Sequence, residues 1–463
     1  MVSEIRAPER GREVPVFRST PVLGALFEVR RDYLGTMLRA SREVGHVVRF
    51  DAGPPGWRST FYSVSAPSLV LDVLGQPETF TKATQTYREV RLALGNGMLT
   101  SEGEAWHRQR RFLAPMFTPR RIASSYAGVM VEEVQRLVER WADVAASGSA
   151  IDVHAEMVGL TSRIIGRILF GADMSTAIPQ IMKFRFINDA LLRRGISPRV
   201  TPLWLPTPAN RRLTGALAQL RQVVADIIAD RRTRPTTGPE NDMLGLLLSA
   251  RDDENAKDRL SDAEVADQAL IFLLAGHDTT ASTLACLLVE LAQSASWQET
   301  VRQELRQVLD GRPPTAADIP QLVWTGRVMR EAMRLYPAAH SIGRTARDDQ
   351  LLDGYRIPAG STLVVSPWTI HRSPEVWSDP DRFDPGRFDL PAGESPGGHR
   401  YAWFPFGAGP HACVGMQLAL MEVPIVMAVI LQRFRLTTSL GSIPLQAAIS
   451  LHPAIPLPVR LHT

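Results

Sequence analysis

The spacing of hydrophobic positions predicts mostly helices, with a few short strands near both ends of the chain. Residues 45–72 alternate between apolar and polar side chains, which predicts a small antiparallel sheet. Apolar residues recur every three or four positions in segments 127–147, 153–170 and 213–233, as in amphipathic helices. Residues 1–20 show neither pattern and are interpreted as an irregular N-terminal arm. The expected fold class is mainly α, a helix-rich α+β fold with small peripheral sheets.

The longest predicted helix begins after Ser261 and continues to about Gln293. Ser261 and Glu264 have the spacing of a capping box, which marks a helix start. At 1.5 Å per residue, roughly 33 residues would extend about 50 Å, so this helix should cross the whole molecule. The segment Ala269–Ala275 is apolar on every side, which predicts that the middle of the helix is buried.

Three further elements are predicted in the last third of the chain. A helix is expected over about Gln321–Tyr336, because a proline follows and stops it. Leu351–Ile357 and Thr362–Val365 predict a hairpin with a Pro-Ala-Gly turn between its strands. A final helix is expected from about Val414 to Phe434, and Pro424 inside it should kink it.

Composition and charge narrow the class of protein. The 463 residues suffice for two or three domains, or for one unusually large one. A formal net charge of +4 is small for this length, and no long cationic block is present, so nucleic-acid binding is not expected. The charged N-terminus has no apolar leader, and plain apolar stretches such as Val423–Leu431 are too short to cross a bilayer. Cys286 and Cys413 lie in unrelated contexts, so a disulfide is not expected, and the protein is predicted to be cytoplasmic without a membrane span.

A glycine-rich loop carries one of the two cysteines. Residues 404–415 read FPFGAGPHACVG, in which two glycines and a proline predict a tight turn. Cys413 precedes the predicted final helix, whose first amide groups should lower the pKa of the thiol. Such a cysteine can be a nucleophile with His411 as its base, a soft metal ligand, or a buried structural residue. Zinc needs three or four ligands and no second cysteine is near, whereas haem needs only one axial ligand from the protein.

The sequence AGHDTT at residues 275–280 interrupts the middle of the long helix. Glycine, aspartate and threonine are poor helix formers, and a local conflict of this kind often marks a functional site. A threonine such as Thr279 can bond back to the backbone and open a groove beside a ligand. By itself, the segment is equally well explained as a harmless kink in which a salt bridge satisfies Asp278.

Both segments resemble those of the cytochrome P450 family. The loop is similar to the family's F-x-x-G-x-G-x-[RH]-x-C-x-G, and the helix is similar to its [AG]-G-x-[DE]-T-[TS]. The resemblance extends from about residue 40 to 455 and implies that Cys413 is the axial thiolate ligand of haem b. It also implies that Asp278 and Thr279 deliver the protons used in dioxygen activation. The other haem-binding residues that it implies in these segments are Ala275, Gly276, Phe406, Gly407, His411 and Gly415.

A charged network is implied by two further motifs of the family. Glu331-Ala-Met-Arg334 is similar to E-x-x-R, and Arg387 lies in Pro-Gly-Arg-Phe, similar to a later P-x-R-F. The family commonly has glutamate where this chain has Gly386, a change not expected to alter the network. The resemblance implies that Glu331, Arg334 and Arg387 support the cysteine loop and take no part in the chemistry.

The haem propionates need cationic or hydrogen-bonding partners. Trp106 and Arg110 lie four residues apart, hence on one helical face, and match the family's W-x-x-x-R. Arg344 and His411 are the other propionate contacts that the resemblance implies. Each of these residues alone would more often be a solvated charge or a core aromatic.

The resemblance implies one cytochrome P450 domain over residues 1–463, with haem b between the long helix and the Cys413 loop. The implied reaction is monooxygenation by O2 of a lipophilic small molecule, a terpenoid or a similar secondary metabolite. Fatty acids, steroids and polyketides remain alternative substrates. Since no reductase domain is expected on this chain, electrons should come from a ferredoxin or flavodoxin and its NAD(P)H-dependent reductase. The rival classes are peroxide-driven or isomerase chemistry on the same fold, and a non-enzymatic haem sensor or electron carrier.

Overall fold

The computed structural model describes residues 11–171, 184–197, 200–233, 242–249, 259–391 and 393–463. The first ten residues of the predicted arm lie outside the described residues. Residues 11–20 form isolated bridges, among them Arg12 with Tyr355 and Val16 with Arg49. The chain divides into two compact units, and each is described by itself. The first comprises residues 1–84, 341–380 and 397–412, and the second comprises residues 85–340, 381–396 and 413–463.

The helices of the first unit are short. They are Leu26–Arg31, Tyr33–Glu43, Val70–Leu74 and Pro367–Ile370. There are also 3-10 turns at Pro67–Leu69 and Pro396–Gly398, and the boundary between the units falls after Pro396.

Helices make up most of the second unit. They are Gln85–Leu94, Gly103–Leu113, Pro119–Arg121, Ala127–Ser147, Val153–Phe170, Phe184–Gly195, Pro208–Thr233, Met243–Ser249, Asp262–Gln293, Ala295–Leu309, Val323–Leu335 and Met416–Arg433. Shorter 3-10 or π turns are Ala114–Phe117, Ile122–Tyr126, Ile319–Gln321 and Pro385–Phe388. We call Asp262–Gln293 the central helix and Met416–Arg433 the cysteine helix.

Twelve short strands complete the described secondary structure. In chain order they are β1 Val47–Ala52, β2 Ser59–Val64, β3 Phe80–Thr81, β4 Ala150–Asp152, β5 Ile342–Ala346, β6 Gln350–Leu352, β7 Tyr355–Ile357, β8 Thr362–Val365, β9 Arg435–Thr437, β10 Leu445–Ala447, β11 Leu451–Pro453 and β12 Pro458–His462. The chain is thus helix-rich α+β with small sheets, as the sequence pattern predicts.

The first unit is built on a five-stranded sheet of order β1-β2-β8-β5-β3. The predicted antiparallel pair is β1 with β2, where Val47 lies opposite Val64. Strand β2 also pairs with β8, and this pairing is parallel. Alternate side chains of the strands enter a core that includes Val64, Leu363 and Phe404, because neighbouring residues of a strand face opposite sides.

The predicted hairpin, Leu351–Ile357 paired with Thr362–Val365, is wrong in its strand partners. Strand β6 pairs with β7 across Asp353 and Gly354, both of which have positive φ, while β8 pairs with β5 and β2. An Asp-Gly pair is a strong hairpin signal, because both turn residues must adopt the left-handed region. The Pro-Ala-Gly segment therefore connects two different sheets.

The central helix organises the second unit. The capping box is present, since the Ser261 hydroxyl accepts from the Glu264 N–H and the Glu264 carboxylate accepts from the Ser261 N–H. Among the described elements, it packs most extensively against the helix Val153–Phe170. The predicted helices over 127–147, 153–170, 321–336 and 414–434 are confirmed to within about two residues, and the cysteine helix continues through the buried Pro424.

The second unit contains two small sheets, in which all strands except β4 come from residues 435–462. Their orders are β4-β12-β9 and β10-β11. Leu451 of β11 donates its N–H to the Ala338 carbonyl at 2.8 Å, which fixes the β10–β11 hairpin to the segment after the helix Val323–Leu335.

The central helix and the cysteine helix are long and apolar enough to cross a membrane by length and composition. The most apolar window of each helix is mostly buried inside the protein. Buried helices in a protein core have the same length and composition.

Candidate functional site

The central helix is buried along most of its length, with one opening. From Gln268 to Val289, Ala275 is exposed, Gly276 and Thr279 are partly exposed, and every other residue is buried. These three residues lie on one side of the helix, because Thr279 is three residues from Gly276 and four from Ala275, and residues at these spacings share a helix face. We call this opening the helix window. It coincides with the segment in which the sequence predicts a site.

The glycine at the window has a packing role. A Cβ built on Gly276 would lie 2.9 Å from Cγ1 of Ile165, on the helix Val153–Phe170. Glycine at this position therefore allows two helices to pack closely, a reason that the sequence did not reveal. The expectation that Ala275 and Gly276 face haem stays a prediction.

Thr279 bonds back to its own helix at the window. Its hydroxyl donates to the Ala275 carbonyl at 2.6 Å, and the Thr283 hydroxyl donates to the Thr279 carbonyl at 3.0 Å. The back-bond expected from the sequence is present, and the central helix continues through it. The hydroxyl thus lies at the only partly open polar position between Gln268 and Val289.

Asp278 is turned into the protein. Its side chain is 8% exposed, and its Oδ2 accepts from Asn188 Nδ2 at 3.1 Å and from the Ser450 hydroxyl. Among the residues that the structure describes, an amide and a hydroxyl satisfy Asp278, and the suggested salt bridge is absent. Neither donor could be found from the sequence, since each is far from Asp278 along the chain and lies in no motif.

His277, between Gly276 and Asp278, is also buried. Its Nδ1 lies 2.7 Å from the Leu273 carbonyl, and burial lowers the pKa of the imidazole despite the nearby Asp278 carboxylate. The neutral ring therefore fills space on the packed side of the helix.

Cys413 lies three residues before the cysteine helix, whose N-cap is Gly415. The side chain is accessible to solvent, and both cysteines of the chain are free thiols. Although a surface of the thiol is open, the dense protein around it desolvates the sulfur and raises the pKa of the thiol, while the amides of Gly415 and Met416, which bond to the sulfur, lower it. The prediction of a lowered thiol pKa is therefore wrong for the chain alone: the amides act in the expected direction, but desolvation is the larger effect.

The loop before Cys413 belongs to the first unit, whose boundary follows Ala412. Gly407 and Gly409 have φ of 74° and 71°, so the predicted tight turn is present and requires glycine. A Cβ on Gly409 would overlap the Leu74 carbonyl oxygen. Phe406 and His411 are partly exposed in this loop.

Phe404 anchors the start of the loop. Its side chain is buried in the core of the first unit, and its N–H donates to Nε2 of the buried His371 at 3.0 Å. His371 lies in no sequence motif, and only the structure identifies it as a support of the loop.

The residues predicted to contact propionates lie in both units. In the second, the Arg110 guanidinium lies over the Trp106 ring at 5.3 Å, on the helix Gly103–Leu113. In the first, Arg344 is buried on β5, and its Nη1 donates to the Gly343 carbonyl at 2.7 Å. The propionate roles of Trp106, Arg110, Arg344 and His411 stay predictions.

The Glu331 carboxylate collects several donors inside the second unit. Arg334 donates to both of its oxygens at 2.7 and 2.8 Å, and Arg387 Nε lies 3.3 Å from Oε1. The Asp384 N–H donates to the same Oε1 at 2.8 Å. Arg334 also donates to the Arg382 carbonyl at 3.1 Å. Because Glu331 and Arg334 are fully buried, removing one would strand the charge of the other.

These features fit a haem bound by a thiolate. A free, exposed cysteine whose sulfur accepts two amide hydrogen bonds is suited to donate as a thiolate to iron. Within the residues that the structure describes, no group of three or more His, Cys, Asp or Glu side chains could hold a metal ion instead. A Cβ on Gly415 would come 3.8 Å from the Cys413 sulfur, an ordinary contact distance.

Comparison with known proteins gives the family. The family described as Cytochrome P450 matches residues 14–454. The chain is 35% identical to a cyclooctat-9-en-7-ol 5-monooxygenase of Streptomyces melanosporofaciens, over 90% of this chain and 88% of that protein. It is 34% identical to a cyclooctatin synthase of the same organism, over 85% and 83%. It is 32% identical to a pentalenene oxygenase of Streptomyces avermitilis, over 90% of each. The chain therefore belongs to the cytochrome P450 family and is a haem b-dependent monooxygenase.

Proposed function

We propose that this monooxygenase hydroxylates or epoxidises a terpenoid or a similar lipophilic secondary metabolite. One oxygen atom of O2 enters the substrate, and the other leaves as water after two electrons and two protons are taken up. The names of the relatives support the substrate class, since cyclooctat-9-en-7-ol and pentalenene are terpenoid compounds. Fatty acids, steroids and polyketides are the alternatives against which the proposal is tested.

The helix window is the observation that carries the proposed site. It exposes Ala275, Gly276 and Thr279 on an otherwise buried helix, directly beside the acid Asp278. We propose that Cys413 supplies the thiolate ligand, and that haem, when bound, supplies dioxygen activation assisted by electron density from that thiolate. The Thr279 hydroxyl would rotate off the Ala275 carbonyl and donate its proton. Asp278 would then restore that proton to Thr279 with one taken from water.

We further propose external electron donors and a cytoplasmic location. A ferredoxin or flavodoxin with its NAD(P)H-dependent reductase would supply the two electrons. The proposal includes one catalytic domain for the whole chain, no membrane span and no nucleic-acid partner. Support comes from the buried position of both candidate spans and the small net charge.

The test begins with ligand titrations of the haem-loaded protein. A panel of terpene hydrocarbons and alcohols, including pentalenene, is compared with fatty acids, steroids, polyketides and small polar molecules by the shift in spin state. Terpenes should give the largest shifts and then yield oxygenated product with NAD(P)H, ferredoxin and reductase. Shifts only from polar or ionic ligands would contradict the substrate class. Efficient turnover with peroxide alone would contradict the electron route, and a haem with two protein ligands would contradict the enzymatic role.

A further inference from the structure

The Asp278 carboxylate is held by side chains from two other elements. Asn188 lies on the helix Phe184–Gly195, and Ser450 lies in the turn between β10 and β11. Both donate to the same oxygen, Oδ2. Asn188 is 8% and Ser450 5% exposed, so both bonds lie out of solvent. Hydrogen bonds to a carboxylate are stronger than those between neutral groups, so these two bonds restrict the orientation of the Asp278 side chain.

The same two elements are also joined to each other. Gln446 of β10 donates to Oδ1 of Asp189 at 3.2 Å, and Nε2 of His452 on β11 lies 3.9 Å from that oxygen. The helix Phe184–Gly195, the β10–β11 hairpin and the central helix therefore form a closed triangle of side-chain contacts. Asp278 is the corner on the central helix, so its carboxylate is oriented by both other elements together.

We infer that Asn188 and Ser450 are positioning residues that orient the Asp278 carboxylate for proton delivery to Thr279. The inference rests on the proposed proton-delivery role of these two residues. Because both bonds end on Oδ2, Oδ1 is the oxygen that takes a proton from water and passes it onward, after which the carboxylate is restored. Proton transfer depends steeply on geometry, so a carboxylate free to rotate would deliver protons less often.

The alternative is a purely structural role, in which the two bonds only fasten the hairpin and the helix to the protein. A structural role predicts changes in substrate binding and stability. A positioning role predicts that removing either donor lowers product per NAD(P)H and leaves substrate binding unchanged. It also predicts that removing a donor has no further effect once Asp278 itself is replaced.

The experiment uses the haem-loaded protein with the terpene that shifts the spin state most in the titrations above. Ser450→Ala and Asn188→Leu each remove one donor, and Ser450→Thr keeps the hydroxyl. Ser282→Ala is the matched control, because Ser282 is a buried serine one turn along the central helix whose hydroxyl has no hydrogen-bond partner in the described structure. Product per NAD(P)H, hydrogen peroxide release and the spin-shift dissociation constant are measured for each.

Ser450→Ala and Asn188→Leu should each lower product per NAD(P)H about tenfold and release the difference as peroxide, as expected for losing a hydrogen bond to a charged group. Ser450→Thr should recover most of the yield, and Ser282→Ala should match the parent. In an Asp278→Asn background, Ser450→Ala should have no further effect. If Asp278→Asn is impaired but both donor variants give parental yields, the inference is overturned. It is also overturned if the donor variants lose yield together with terpene binding. If Asp278→Asn itself gives parental yield, the proposed proton-delivery role fails.

Discussion

Replacing Gly276 with alanine should strain the contact between the central helix and the helix Val153–Phe170. The added Cβ would lie 2.9 Å from Cγ1 and 3.0 Å from Cδ1 of Ile165, whereas carbon atoms in good contact are about 3.5–4.0 Å apart. Ile165 is 4% exposed and packed, so it cannot simply move into solvent. One of the two helices must shift, or Ile165 must leave its preferred rotamer.

The magnitude follows from two opposing effects. Overpacking by one carbon in a filled core costs about 1–3 kcal/mol. Alanine is the better helix former by about 1 kcal/mol, so Gly276→Ala should lower the free energy of unfolding by about 0–2 kcal/mol. Since that net value is small, a double-mutant cycle with Ile165→Ala measures the clash more directly. Ile165→Ala alone should cost about 2–5 kcal/mol, and the clash should be absent in the double variant.

The assay is urea denaturation of the haem-loaded protein, followed by far-ultraviolet circular dichroism and by haem absorbance. The double variant should be more stable than the sum of the single effects by about 1–3 kcal/mol. Gly215→Ala is the control, because Gly215 is exposed in the helix Pro208–Thr233 and a Cβ there meets nothing within 4 Å. This control should gain up to about 1 kcal/mol. Additivity of the single effects to within about 0.5 kcal/mol would refute the packing role of Gly276.

Three other predictions follow from the site and its supports. Cys413→Ser should abolish the red-shifted band of the reduced carbon monoxide complex, and a band retained in this variant would rule out Cys413 as the ligand. Thr279→Ala should keep the band but release peroxide in place of product. Glu331→Gln strands the buried Arg334 charge and should lower the free energy of unfolding by about 3–5 kcal/mol in urea, and a loss below about 1 kcal/mol would count against the network. Glu422 is buried in the cysteine helix, and burial raises its pKa from 4.5 to about 8. The folded chain therefore keeps a proton that the unfolded chain releases, and stability should fall as pH rises through this interval. Glu422→Gln should flatten that fall in thermal unfolding midpoints measured at several pH values, and an unchanged slope would contradict the assignment.

Features determined by neighbouring residues could be predicted from the sequence. The start of the central helix follows from Ser261 and Glu264, and its buried middle follows from apolar residues on every side. The turn before Cys413 follows from glycines that adopt positive φ. In each case the physical cause lies within a few residues along the chain.

Features that depend on residues distant in sequence could not be predicted in this way. Asn188 and Ser450 approach Asp278 only in the folded chain, and no motif marks them. The sequence shows the amides next to Cys413, but desolvation by the surrounding protein has the larger effect on the pKa of the thiol, and the whole fold determines it. The Asp353–Gly354 turn differs from these cases, because its Asp-Gly pair is a local signal for a hairpin.

The parallel pairing of β2 with β8 has a consequence for synthesis of this protein on the ribosome. Strand β2 ends at Val64 and β8 at Val365, so about 300 residues must be added before the pair can form. At about 5–20 residues per second, the N-terminal hairpin waits roughly 15–60 s with one backbone edge uncovered. A nascent chain in that condition is open to edge-to-edge association with its neighbours on a polysome. Yield in a foreign host should therefore depend on chaperone supply and growth temperature during that interval, as well as on the supply of haem.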